Sequence, residues 1–349
     1  MTVCLHHEIP KSECRSEKQN ETCCTDDVEE EFVQDRTQTV HDEEEYDKCG
    51  KSAEEKKKKS RSKSYESEEK MKRLLTFDEA PSYLAHNRFI LSGYRGILNT
   101  KLCIESIFWW TNETINIWSH IFGFVLFTAL TFYDFLALNI HGHMSDKFLV
   151  ASVLFCFVAC MFLSSMYHTF NCRSEEDFHG FLNLDLFGIA LSLLAIYTSG
   201  IYFAFWCHSH WRQFYIISVT LIFFVAMLLQ HPKFNVDSNT RMIVFVSWAA
   251  YGVIPTIHWI FVMGGINNPV VELLLPRVLG MYAISGTAFF IYITKIPERF
   301  CAGKFDYLGH SHQWWHIIIV LALYYWHSSG IIYVNYRINH ACADSMRLD

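Results

Sequence analysis

Apolar stretches long enough to cross a bilayer, about 20 residues each, recur at about 116–138, 148–170, 181–205, 212–230, 242–263, 278–296 and 314–336. Period-two alternation is absent and the connecting loops are short, so the pattern predicts α-helices and disfavours a β-barrel. Aromatic residues crowd the span ends, as at Phe108, Trp109, Trp110 and Trp118 before the first and Trp314 and Trp315 at the last. Such positions suit an interfacial belt. The predicted fold class is an all-α membrane protein, a seven-transmembrane helix bundle over 115–340, followed by a short tail at 341–349.

The charge is distributed unevenly. Residues 1–73 carry 35 charged side chains, and only 30 remain for the other 276 positions. A segment nearly half charged cannot bury enough apolar surface to offset its ordering entropy, so 1–73 is expected to be a disordered cytosolic tail. Its first 30 residues lack the apolar core of a secretory signal. The net charge of −7 offers no attraction to nucleic acid, and a soluble enzyme, a disulfide-knit secreted module and a basic nucleic-acid binder all fit poorly. The twelve cysteines contain no C-x-x-C pair and are read for the most part as free thiols. Cys172 and Cys301 lie at membrane edges where acylation occurs. Residues 74–114 mix apolar, charged and turn residues and are expected to lie along the membrane surface as an amphipathic segment. The KKKKSRSK run at 56–63 reads as a solvated stretch, since acidic residues flank it.

Lys and Arg outside the spans set the orientation. The basic run at 56–63, Lys72, Arg73, Arg88, Arg95 and Lys101 all precede the first span, which favours a cytosolic N-terminus and an extracytoplasmic C-terminus. The triplets headed by Asn20 and Asn112 would then face the cytosol, where they are not glycosylated.

Ionisable groups within spans are expensive and need a reason. Asp134, near the end of the first span, is expected to reach the interface. Asp185 lies one turn into the third span, opposite His168 at the end of the second. Four crossings separate the start of the third span from that of the seventh, so His312 and His316, at i and i+4 and hence on one helical face, return to the same side. Three imidazoles make a tetrahedral zinc site with an open fourth position, the catalytic arrangement. Asp185 would orient a water or hold a histidine tautomer. Ser164, one turn from His168, is a candidate substrate-contacting hydroxyl. A Ser-His-Asp triad from Ser164, His168 and Asp185 is the rival chemistry; it would have no nucleophile elbow and would leave His312 and His316 idle. His120, His258 and His327 stand singly and read as satisfied core or pore-lining residues.

NETINIWSH at 112, SSMYHTF at 164, LDLFGIA at 184, YGVIPTIHW at 251 and SHQWWH at 311 resemble the progestin and adipoQ receptor family over about residues 74–340. The resemblance implies seven helices, a cytosolic N-terminus, zinc on His168, His312 and His316, an aspartate beside the metal-bound water at Asp185 and a helical serine at Ser164. Through GYRGILNTKLCIES and the KIPERF to YLGHSHQ segment, the chain is most similar to the branch that holds Raf kinase at the Golgi membrane and damps MAP kinase signalling. The polar tail and segment 74–114 would be the docking surface. Kinship with adiponectin receptors and alkaline ceramidases implies an alternative, a zinc-dependent lipid-amide hydrolase with a ceramide-like ligand. A further alternative is a lipid-hormone receptor whose zinc is structural. The long extension 1–73 departs from the resemblance.

Overall fold

A computed structural model describes residues 68–136, 144–234, 236–340 and 342. Residues 1–67, which hold most of the expected charged tail and its basic run, and the far C-terminal tail apart from Cys342 lie outside the described residues.

A short helix α1 (Thr100–Glu105) precedes the bundle. The first four spans are α2 (Thr114–Leu136), α3 (Met144–Phe170), α4 (Glu175–Ala204) and α5 (Ser209–Gln230). The fifth span is broken into α6 (Ser238–Tyr251) and α7 (Val253–Val262). The sixth and seventh are α8 (Pro269–Thr294) and α9 (Ser311–Asn339). All seven are long and apolar enough to cross a membrane, and no strand occurs among the described residues. Several helices start before the apolar run because polar caps extend them. Ser174 accepts a hydrogen bond from the Asp177 amide, and three acids in the first turn of α4 suit its dipole. Asn268 caps α8, with Pro269 in the first turn, where its missing N–H costs nothing.

Along the chain α2, α3, α4 and α5 pack as successive neighbours, while α9 packs on α8 and α2 and touches α3 and α4. The central core joins Phe127, Phe157, Met161, Val320, Leu323 and Trp326. Gly188 of α4 lets α3 and α4 approach closely: a Cβ there would sit 2.9 Å from the Cys160 Cα. The fifth span breaks at Gly252 and Pro255, a residue that removes a helical N–H. The hydroxyl of Tyr197 on α4 lies 2.8 Å from the Trp248 and Ala249 carbonyl oxygens just before the break.

The segment expected along the membrane surface folds back onto the bundle end. Leu84, Ile90, Tyr94, Leu98 and Leu102 form a second core with Tyr167, Phe170, Cys172 and Phe178, and Leu75 bridges Tyr94. Glu298, fully buried, joins the two halves of this end: it accepts from Asn87 Nδ2 at 3.1 Å and from the Ser311 amide at the start of α9 at 2.8 Å.

Two expectations change at the opposite end of the bundle. Asp134 is buried, and its Oδ2 lies 2.7 Å from His327 Nε2. Burial of a lone charge is costly, and pairing across α2 and α9 is the alternative to reaching the interface. Asp146, in the first turn of α3, is a further buried acid, held by Tyr202 at 3.1 Å and Arg337 at 3.3 Å. Cys207 and Cys342 form a disulfide. A separation of 135 residues gives no local signal for that bond. Cys103, Cys156, Cys160, Cys172 and Cys301 are free, and Cys172 is fully buried, which removes it as an acylation site.

Candidate metal centre

His168 occupies the last turn of α3, and His312 and His316 the first two turns of α9. Antiparallel travel through an even number of crossings brings these helix ends together. His316 Nε2 lies 3.2 Å from His312 Nε2, which lies 3.5 Å from His168 Nε2, and all three donor atoms fall within 4.8 Å of one another. One proton can be shared between two such nitrogens but not among three. Ligands about 2.0–2.1 Å from a tetrahedral zinc ion would stand roughly 3.3 Å apart, close to the two separations found. The donor set therefore fits one metal ion.

The tautomer of His168 is set by a residue that the span pattern does not reveal. Glu113, just before α2, has its Oε2 2.8 Å from His168 Nδ1. A carboxylate only accepts, so Nδ1 carries the hydrogen and Nε2 presents its lone pair to the trio. The same carboxylate accepts from Asn116 Nδ2 at 2.7 Å and Asn171 Nδ2 at 3.2 Å. Burial works against its ionisation, yet His168, the Arg95 guanidinium and the Asn116 amide together hold the Glu113 carboxyl well below the usual range.

Arg95 fixes the end of α3 itself. Its buried guanidinium donates through Nη1 to Ser106 Oγ at 2.8 Å and the Thr169 carbonyl at 3.0 Å. Through Nη2 it donates to Asn171 Oδ1 and the His168 carbonyl. A cation at a helix C-terminus satisfies carbonyls that have no intrahelical partner. The juxtamembrane segment thus clamps the turn that carries His168.

Asp185 and Ser164 line the same cavity as the three histidines. Asp185 does not supply a fourth atom to the close trio, and the buried Ser164 side chain faces Asp185. His120 stacks on His316 with ring centroids 3.8 Å apart and lines the same cavity. It is therefore part of the site rather than a satisfied core residue. His258 accords with the satisfied-core reading, its Nδ1 lying 2.9 Å from the Tyr215 hydroxyl. A helical face carrying Glu113, Asn116 and His120 at i, i+3 and i+7 was the available signal for the missed residues. Asn112 is buried, and its carbonyl takes His310 Nε2 at 3.1 Å.

The cavity has a volume of about 1050 Å³. It runs from the histidines past Ile189, Ile196 and Met281 to Phe205, Trp326 and Tyr333 near the other end of the bundle, with Tyr282 and the broken span on one wall. Its polar groups gather at the histidine end, and most of the remaining lining is apolar and aromatic.

Comparison with known proteins agrees with this architecture. The haemolysin-III-related family matches residues 108–327. The human progestin and adipoQ receptor family member 3 is 43% identical over 278 residues, 78% of this chain and 89% of that protein. Heptahelical transmembrane protein 1 of Arabidopsis thaliana is 28% identical over 78% of this chain and 85% of its own length. The adiponectin receptor protein of Drosophila melanogaster is 28% identical over 73% of this chain and 58% of its own length.

Proposed function

Because the chain belongs to the haemolysin-III-related family, in its progestin and adipoQ receptor branch, we propose that His168, His312 and His316 hold zinc through Nε2 and that the protein hydrolyses a lipid amide. The observation that carries this reading is the convergence of three Nε2 atoms at the polar end of a long, mostly apolar cavity. Zinc, when bound, supplies Lewis acidity, polarising a carbonyl and acidifying water. The chain's own residues supply the rest. The cavity exceeds ordinary small-molecule pockets and accommodates the acyl chains of a ceramide-like lipid, placing its amide beside the imidazoles. Asp185 accepts the proton of the attacking water, and the Ser164 hydroxyl beside it donates to the amide oxygen. Glu113 keeps His168 in the ligating tautomer.

The test uses the full chain in lipid nanodiscs. One equivalent of zinc is expected, lost in the H312A/H316A double variant together with ceramide turnover. Zinc bound without turnover in the unsubstituted protein would favour a lipid-hormone receptor with a structural ion. Absence of zinc would overturn the site.

A second reading concerns signalling. Identity of 43% with family member 3 across most of both chains favours a protein of the Golgi membrane that retains Raf kinase and damps MAP kinase signalling. The two roles are compatible. Deleting residues 1–73 should abolish Raf relocation if that region docks the partner, whereas H312A/H316A should leave relocation intact. For sidedness we infer a cytosolic N-terminus and histidine site and a lumenal C-terminus. The Cys207–Cys342 disulfide at the far ends of α4 and α9 supports this, since such bonds persist in oxidising compartments. Protease protection of the N-terminus would refute it.

A further inference from the structure

Cys103 and Cys172 are both fully buried, and their Sγ atoms lie 3.8 Å apart. Cys103 belongs to α1 and Cys172 to the turn after α3, so the contact joins the juxtamembrane segment to the helix that carries His168. Neighbouring bonds hold the register. The Leu98 amide donates to the Cys172 carbonyl at 3.2 Å, and Cys103 Sγ lies 3.7 Å from the Leu98 carbonyl oxygen. Arg95 and Ser106 secure the same two elements from the other side of the turn. The surrounding side chains are Leu84, Leu98, Leu102, Tyr167 and Phe170. Nothing in this packing requires two thiols, and an alanine or valine would serve an inert core as well.

We propose that Cys103 and Cys172 are a reversible oxidation site at which a hydroperoxide closes an intramolecular disulfide between α1 and the end of α3. Cys172 is the attacking sulfur. The hydrogen bond from Cys103 favours its thiolate and Arg95 adds to this, which brings it down to about 7, while the same contact pushes the Cys103 thiol up. The Cys172 thiolate forms an S–O bond as the peroxide O–O bond breaks, and water leaves after taking up a proton. The Cys103 sulfur then forms the S–S bond as the S–O bond breaks, releasing a second water. Two thiols and one hydrogen peroxide thus become one disulfide and two waters, and a thiol reductant reverses the step. The crosslink makes covalent the clamp over the turn that carries His168. Because the oxidant must reach a buried pair, opening of the juxtamembrane segment limits the rate.

The experiment uses the purified full chain in nanodiscs, titrated with hydrogen peroxide, quenched by alkylation and digested. Cys301, free and exposed, is the internal reference. At doses that oxidise Cys301, a peptide pair linking Cys103 to Cys172, two hydrogens lighter than its separate parts, is expected in most chains and should vanish with dithiothreitol. Oxidation should also slow amide exchange of residues 95–112 at least tenfold, and the C103A and C172A variants should each lose that slowing. Cys103 and Cys172 remaining alkylatable while Cys301 is oxidised would overturn the proposal. So would a crosslink that leaves exchange of 95–112 unchanged in wild type, or slowing that persists in both variants.

Discussion

The spans of this bundle divide into two kinds. α4 and α9 each have 44% of their most apolar stretch buried within the protein, whereas the fifth and sixth spans have only 22% and 17%. The three histidines and Asp185 lie on the better-buried spans, His168 on α3 with 39% buried, Asp185 on α4, and His312 and His316 on α9, while Glu113 precedes α2, of which 28% is buried. The fifth and sixth spans contribute Phe245, Tyr282 and Phe289 to the cavity wall and none of the metal-ligating groups. Rigid geometry and adaptable volume are thus assigned to different helices. A site that must hold three nitrogens to a few tenths of an ångström needs the first kind, because precision comes from locked rotamers and close packing. A chamber whose volume can adapt needs the second, where fewer interhelical contacts have to be broken.

The sharpest way to break this contrast is at the ligands. H168A should remove zinc altogether, from one equivalent to none by elemental analysis, while a substitution in the loose wall such as F289A should retain it. Next in size is packing. G188V places methyl groups against the α3 backbone and should lower stability by about 1–3 kcal/mol or more, read as a falling melting temperature in detergent. G252A meets the ends of Tyr197 and Tyr282 instead, which can rotate, so its loss should be smaller and its main effect a reduced lipid capacity. E113Q keeps the shape of the side chain but cannot enforce the His168 tautomer. Zinc affinity should fall roughly 10–100-fold, measured by competition with a chelator, with little change in melting temperature. The smallest effect belongs to Y197F, which removes the α4 hydroxyl that donates to carbonyls of the broken fifth span and should cost about 0.5–1.5 kcal/mol. An equal response of G188V and G252A would erase the distinction between the two sets of helices.

Much of this was legible in the chain. Hydropathy located all seven spans, and counting crossings placed His168, His312, His316 and Asp185 at one end. Caps such as Ser174 and Asn268 explain why the helices begin earlier than their apolar runs. The residues that escaped share one property. Glu113, His120, the Asp134–His327 pair and the Cys207–Cys342 bond matter through partners far off in sequence, and periodicity reports only which face of its own helix a residue occupies. Asp134 looked like an interfacial acid because nothing nearby in the chain could pair with it. The fold-back of residues 74–112 was hidden for the same reason: a segment with mixed polarity suits a bilayer surface and a helix-bundle end equally well.

The Cys207–Cys342 bond has a consequence for motion. Its two sulfurs follow the third and seventh spans, so the fourth to seventh spans lie inside a covalent ring closed at the end remote from the histidines. The bond holds the far ends of α4 and α9 together, so any parting of α4 from the later spans is hinged there and is greatest beside Asp185.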